Sequence, residues 1–393
     1  MKVNFTPTLF FQKNKLGVAL LLAGMLLMTW SFTPSEGQDS FIRKLFSQVK
    51  AGIAKDLINK GVLTEEQATT LNFMPPPPPA PGNIAAGMQF WLHAGAGTSL
   101  DASNNFVSVS GTPVWADQSG NGRDIDFVNS NPAVVPGALS FNPVVDWDGD
   151  DFVRIDDVSK RHFFSTYTEG EVFTVMKATN LTNNSGMPYY LGGTSAAHYT
   201  YVNGYVYDDF GSASGHRKAW HPSTLAVAEG GGTTAGGAVD ATQFHIYNNY
   251  SKSNDWAAAF DGQTAYSDFA HTPSFAQNGH VHIGARNGLV FNGQTAEHLF
   301  FNRKLTTDER QRVNSYLGAK YGITLKHDYF ASDWNGVTGG KYWDVGGSGG
   351  YDSDIAGILR DDALQINQLQ GRSASPGFQP AIGLGNLVAS NDQ

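Results

Sequence analysis

The chain has 393 residues, a net charge of −9, 45 glycines, 12% aromatic residues and no cysteine. The lack of cysteine excludes a disulfide scaffold, a cysteine metal site, a thiol nucleophile and a cysteine-linked lipid anchor, while the acidic balance argues against nucleic acid, which needs a basic footprint. With only 16% charged residues and so many glycines and aromatics, turn-rich β structure is favoured over helical bundles.

Residues 1–32 read as a signal peptide or N-terminal anchor. Lys2, Lys13 and Lys15 precede an apolar run from Val18 to Trp30. A run of about 13 residues fits a secretory signal better than a membrane span, which needs about 20. The rest of the chain is therefore expected outside the cytoplasm, touching membrane only through this segment. In 33–73, Phe41, Leu45, Val49, Ile53 and Leu57 recur at helical spacing among basic residues, which predicts a short amphipathic helix. Thr64-Glu65-Glu66-Gln67 opens a second one as a capping box. Pro75 to Pro79 then make 74–83 a stiff linker.

From Ile84 to Leu325 short strands alternate with Gly, Asn, Asp and Pro turns. Met88–Leu92, Val144–Trp147, Phe152–Ile155, Glu171–Met176, Gln243–Tyr250 and Glu297–Phe301 are examples. The spacing predicts an antiparallel β-sandwich. A closing helix is predicted from the capping box Thr306-Thr307-Asp308-Glu309, the apolar face Val313, Tyr316, Leu317 and Tyr321, and the stop at Gly322.

Several motifs in this region occur in a recognisable order. They are Phe90-Trp91-Leu92, the loop Trp115 to Gly122, Asn142 to Asp151, Tyr207 to Ser212, His245 to Asn248, Asn254 to Ala258, and Asn302-Arg303-Lys304-Leu305 with the helix to Leu325. Together they resemble the laminin-G-like, concanavalin A-like (jelly-roll) sandwich modules of exported, adhesin-like surface proteins of Bacteroidetes-type bacteria. The resemblance implies a non-catalytic module that binds glycans or cell-surface proteins and in some branches holds Ca²⁺. It also makes Glu297 a residue of a late structural strand. It continues through Tyr351–Asp362, so 326–393 is expected as a partial, truncated β module.

Two sites stand out. Tyr205, Tyr207, Asp208, Asp209, His216, Arg217, Trp220 and His221 concentrate rings, carboxylates and imidazoles within 17 positions, the mixture that sugars require. The bland alternative has the tyrosines alternating on a strand and Trp220 in the core. In Trp115–Asp124, Asp117, Asn121 and Asp124 offer oxygens for one Ca²⁺, with backbone carbonyls completing the six to eight ligands needed. The alternative is a loop turned by Gly120-Asn121-Gly122 whose amides Asp117 and Ser119 satisfy.

Other chemistry is weaker. A glycosidase on this fold is the runner-up function, but it needs two carboxylates across a sugar, and no Glu-x-Asp-x-x-Glu string exists. Glu169-Gly170-Glu171 is the nearest approach. Gly193-Thr194-Ser195 is no nucleophile elbow. His280 and His282 share a strand face but lack a third metal ligand. Asp146 to Asp151 fails as an EF-hand and is expected to form a hairpin with Trp147 and Phe152 facing the core. The expected function is non-enzymatic glycan recognition or adhesion, with a ligand-free structural spacer as a further alternative.

Overall fold

The computed structural model describes residues 80–393 except 182–185, 193–196, 203–205, 209, 211–217, 221–232, 235–238, 271, 276–278, 287, 338–339, 351–352, 362, 364–365, 378, 390 and 392–393. The expected signal segment and the two N-terminal helices lie outside the described residues. From Pro78 to Gln393 the chain forms one compact unit.

The first strands are β1 (Met88–His93), β2 (Phe127–Asn129), β3 (Ala133–Leu139), β4 (Asn142–Asp148), β5 (Phe152–Ile155) and β6 (Gly170–Ala178). Next come β7 (Gly186–Gly192), β8 (Ala197–Val202), β9 (Val206–Asp208), β10 (Lys218–Trp220), β11 (Thr233–Thr234) and β12 (His245–Lys252). The series closes with β13 (Asp255–Phe260), β14 (Gln263–Asp268), β15 (His280–Ile283), β16 (Ala285–Arg286), β17 (Leu289–Val290) and β18 (Asn292–Phe301). Helix α1 (Thr307–Tyr321) follows.

One nine-stranded antiparallel sheet runs β11-β14-β13-β12-β6-β18-β4-β3, with β1 also paired to β18; a seven-stranded sheet runs β10-β9-β8-β7-β15-β5-β2. The two sheets share a core that includes Phe90, Trp147, Val172, Tyr247 and Phe300 from one side and Val153, Ile155, Leu191 and Val281 from the other, with Trp115 added from the connection between β1 and β2. The protein is a mainly β sandwich.

The nine-stranded sheet is buried on both faces. This explains why β6 reads Gly-Glu-Val-Phe-Thr-Val-Met-Lys-Ala without clean alternation: Val172 and Met176 face the sandwich core, while Phe173 and Val175 face a second core. Strands covered on both sides lose the polar half of their period. The second core lies under α1, whose Val313, Tyr316, Leu317 and Tyr321 are buried there. Thr306 caps the helix in a full capping box with Glu309, and Gly322, at φ 66°, ends it in the left-handed conformation.

Residues 326–393 carry β19 (Tyr329–Phe330), β20 (Lys341–Trp343), β21 (Leu359–Asp361), β22 (Ile366–Gln368), β23 (Gln370–Arg372) and β24 (Ala381–Gly383), paired two by two. This segment is laid on the sandwich and on α1. Ile366 enters the second core, the Arg372 N–H donates to Ser140 Oγ (3.0 Å), and the Ala374 N–H donates to the Gly322 carbonyl (2.8 Å).

The hairpin expected over Asp146–Asp151 does not form. Strand β4 pairs with β3 and β18 in the nine-stranded sheet and β5 with β2 and β15 in the seven-stranded one, so the turn carries the chain from one sheet to the other, and one residue departs from its predicted side. Trp147 is buried in the core, whereas Phe152 lies on the opposite face of β5, stacked on Phe127 at 5.9 Å, while Val153 and Ile155 point inward. In a strand only alternate residues share a face, and because the turn at Gly149–Asp151 passes between the two sheets, the phase of β4 does not carry over to β5.

Candidate functional site

Two glutamates hold α1 on the nine-stranded sheet. Glu171, fully buried on β6, receives Nε and Nη2 of Arg310 at 2.6 and 2.7 Å, Asn248 Nδ2 at 3.0 Å and the Leu305 N–H at 2.8 Å. Glu297 on β18 receives Trp91 Nε1 at 2.7 Å, Tyr316 OH at 2.9 Å, Tyr321 OH at 2.7 Å and Lys320 Nζ at 2.8 Å. Burial would push the Glu297 carboxyl up, but Lys320, His93 and the hydroxyl donors outweigh it and hold the group below its ordinary value. Glu297 lies four residues along β18 from Phe301, the register partner of Glu171, so the two backbone positions are roughly 13 Å apart along the strands at about 3.3 Å per residue.

Above Glu297 the surface opens into a recess of about 260 Å³, lined by Trp91, His93, Asn142, Tyr316, Lys320, Ile366, Asn367, Gln368 and Asn391. A side pocket of about 60 Å³ adjoins it, adding Gly95, Pro143 and Tyr321 to the shared His93, Asn142 and Lys320. Alternation on β1 explains two of these residues: Phe90 and Leu92 fill the sandwich core, so Trp91 turns to the helix side, and His93 follows it two residues on, its ring 5.3 Å from that of Trp91. Burial, reinforced by Lys320, lowers the His93 pKa to about 3, so the imidazole is neutral at physiological pH. Among the described residues no acidic side chain lines either cavity.

The Trp115–Asp124 loop is closed by its own hydrogen bonds. Trp115 is wholly buried, and its Nε1 donates to the His93 carbonyl (3.1 Å). Asp117 Oδ1 accepts from the N–H groups of Trp91 (3.0 Å) and Ser119 (2.9 Å); Oδ2 accepts from Ser119 Oγ (2.8 Å) and the Arg123 N–H (3.1 Å). Asp124 Oδ1 accepts from the Asp117 N–H (3.0 Å), and Asn121 Nδ2 donates to the Met88 carbonyl (3.0 Å). Gly120 and Gly122 have φ of 82° and 66° and make the turn. The oxygens expected to bind Ca²⁺ are thus engaged with protein donors, and the Asn121 side chain presents its nitrogen to the loop.

Of the other expected ligand residues, Tyr205, Asp209, His216, Arg217 and His221 lie outside the described residues. Tyr207 and Trp220 are described in backbone only, paired across β9–β10 as Tyr207↔Ala219 and Val206↔Trp220. Asp208 is fully buried and accepts from Thr200 Oγ1 (2.7 Å) and Asn249 Nδ2 (3.1 Å), so its carboxylate serves the sheet interior.

His280 and His282 do share a face, their rings 5.5 Å apart. Among the described residues the one acidic group close enough to hold a metal is Asp148, Asp150 and Asp151 at the β4–β5 turn. Asp151 takes the N–H groups of Asn131 (3.0 Å) and Asp148 (3.3 Å), and burial raises its carboxyl to about 6. These bonds close the turn that links the two sheets.

Sequence reasoning missed the recess. Its usable signal was an acid, Glu297, just before the apolar end Leu299-Phe300-Phe301 of a strand facing a helix with Lys320 at its end.

A family model described as a domain of unknown function (DUF8202) matches residues 309–393. A comparison with curated proteins finds no match. Among solved structures the chain is similar to domain 4 of AbnA, a GH43 extracellular arabinanase from Geobacillus stearothermophilus in complex with arabinotriose, at 12% identity over 58% of this chain and 98% of that one (TM-score 0.38). It is also similar to the binding domain of paraclostridial mosquitocidal protein 1, at 10% identity over 62% and 54% (TM-score 0.41), and to Trypanosoma rangeli sialidase, at 13% identity over 58% and 32% (TM-score 0.34). The chain therefore spans about half of the mosquitocidal domain and a third of the sialidase. Likeness this low transfers no ligand or activity. Among the described residues no helix is long and apolar enough to cross a membrane.

Proposed function

We propose that the protein is an exported, non-catalytic surface module of laminin-G-like type that recognises glycans. One observation carries this reading: the recess beside α1 joins ring faces, amides, an ammonium and a neutral imidazole, with no carboxylate among the described residues of its walls. Such a surface can hold hydroxyls and C–H faces but lacks the acid and base that glycoside hydrolysis needs. The two glutamates nearest the helix interface, Glu171 and Glu297, are spent on Arg310 and Lys320. Export rests on the basic and apolar pattern of residues 1–32.

The test is a glycan array and a polysaccharide turnover panel on the same full-length preparation. Retention of a glycan without release of sugar supports the reading. Turnover that disappears on changing a single carboxylate would replace it with the glycosidase. Export is checked by fractionating the producing cells; a chain confined to the cytoplasm removes that part.

A further inference from the structure

Three amides in the recess have their nitrogens committed to backbone carbonyls. Asn142 Nδ2 donates to Ser140 (3.0 Å) and Lys320 (2.7 Å), Gln368 Nε2 to Ala319 and Gly357 (3.1 Å each), and Asn391 Nδ2 to Ser140 (3.2 Å). An amide anchored through its nitrogen has its oxygen left as the group to offer. The Asn391 oxygen is sealed from solvent and accepts nothing among the described residues, so the oxygens of Asn142 and Gln368, both lining the recess, are the ones left to offer. The recess therefore presents acceptors that call for a ligand with donors.

The remaining polar groups narrow the ligand. Lys320 Nζ donates to Glu297 (2.8 Å) and Tyr316 OH (2.8 Å), which leaves one of its three protons. Its positive charge on the wall opposes a cationic ligand. Fixed amide oxygens and a chain charge of −9 oppose an anionic one. A hydroxyl satisfies both sides, donating to an amide oxygen and accepting from Lys320. At about 260 Å³ the space is below the roughly 300–1,000 Å³ of drug-sized pockets, which suits one sugar ring.

Resting on the glycan reading above, we propose that this recess is a subsite for one uncharged, hydroxyl-bearing sugar ring and that it discriminates against both uronates and amino sugars. The subsite is composite. Tyr316, Lys320, Ile366, Asn367, Gln368 and Asn391 come from the stretch matched by the family of unknown function, whereas Trp91, His93 and Asn142 come from the sandwich. Residues 309–393 hold six of its nine lining residues and cannot build it alone. It also lies on the helix side of the nine-stranded sheet, whereas Tyr207 and Asp208 belong to the seven-stranded one.

The experiment titrates the full-length chain with methyl glycosides of a neutral hexose, a hexuronic acid and a hexosamine, read by saturation-transfer NMR. Two variants leave the Glu297 hydrogen bonds alone. Asn367→Ala trims a solvent-facing rim residue. Gly95→Leu plugs the side pocket from an exposed position, where a Cβ meets Pro143 Cγ at 3.3 Å and His93 Nδ1 at 3.5 Å. The expected result is a signal from the neutral hexoside at least tenfold stronger than from the two charged ones. That signal weakens severalfold in Asn367→Ala and is lost in Gly95→Leu, with both melting temperatures unchanged. Preference for the uronate or hexosamine overturns the proposal, as does neutral-hexoside binding untouched by both variants. If the array still registers a glycan in those cases, glycan recognition survives and the recess is not its site. If the chain holds no glycan anywhere, both fall together.

Discussion

Glu297→Gln keeps the shape of the buried carboxylate and removes its charge. Lys320, whose side chain is 15% exposed, then loses its counter-ion, and the amide cannot accept from Trp91, Tyr316, Tyr321 and Lys320 together. Breaking one side of a buried pair costs about 3–5 kcal/mol. Because Lys320 borders an open recess and can turn toward water, about 2–4 kcal/mol is expected. At about 2–4 °C per kcal/mol for a large domain, melting falls by roughly 5–15 °C. Lys320→Met should cost a comparable amount, since it leaves a buried carboxylate with only neutral donors. The double variant Glu297→Gln/Lys320→Met should cost less than the sum of the two, with a coupling on the order of 2 kcal/mol.

Guanidinium denaturation of the four proteins, with unchanged m-values, gives the cycle. Single variants costing under about 1 kcal/mol, or strictly additive costs, would refute the view that this pair pins the helix to the sheet. The pH dependence offers an independent check. The folded Glu297 carboxyl lies below its ordinary value, so its stabilisation is present above the unfolded pKa and is lost as pH falls through the folded one. Glu297→Gln should flatten the acid limb of the stability curve.

His245 predicts the opposite slope. Burial lowers its pKa, but Asp261 Oδ2 at 2.7 Å and the Asp240 carbonyl outweigh that and raise it overall. Its contribution is therefore full below about pH 6.5 and lost as pH rises through the folded value, a slope that His245→Gln should remove in melting curves taken from pH 6 to 9. Asp117→Ala strips four hydrogen bonds from the Trp115–Asp124 loop and should lower melting by several degrees equally with and without millimolar Ca²⁺; a Ca²⁺-dependent rise in the parent that the variant abolishes would instead make the loop a cation site. Gly322→Ala places a Cβ 2.0 Å from the Arg372 carbonyl at a left-handed backbone position. It should loosen the segment after α1, and limited proteolysis should cut between 323 and 393 faster than in the parent; an unchanged digest would contradict the packing described.

Helix α1 was legible because its signals are local. A capping box, a 3.6-residue apolar stripe and a glycine stop all lie within 17 residues, and each acts through its own neighbours. The sandwich was legible for a similar reason, since turn residues and strand lengths survive any tertiary arrangement. Phase was not: Phe152 lies on the face opposite to the expected one because the chain crosses from one sheet to the other after β4, and the pairing of β5 with β2 and β15 sets its faces afresh. The candidate sites show the same limit more sharply. Residues 205–221 attracted attention because polar and aromatic groups are dense along the chain, yet Asp208 within that run is buried under Thr200 and Asn249. The recess has the reverse property. Its walls come from positions 91, 93, 142, 316, 320, 366–368 and 391, so no short window holds more than a few of them, and they converge only because β1, β4, α1 and β22 meet at one corner of the nine-stranded sheet. What could be read locally was the anomaly of Glu297, the one carboxylate of a strand that ends Leu299-Phe300-Phe301. A buried carboxylate persists only when something pairs with it, and at this corner the partner is the lysine that also borders the recess.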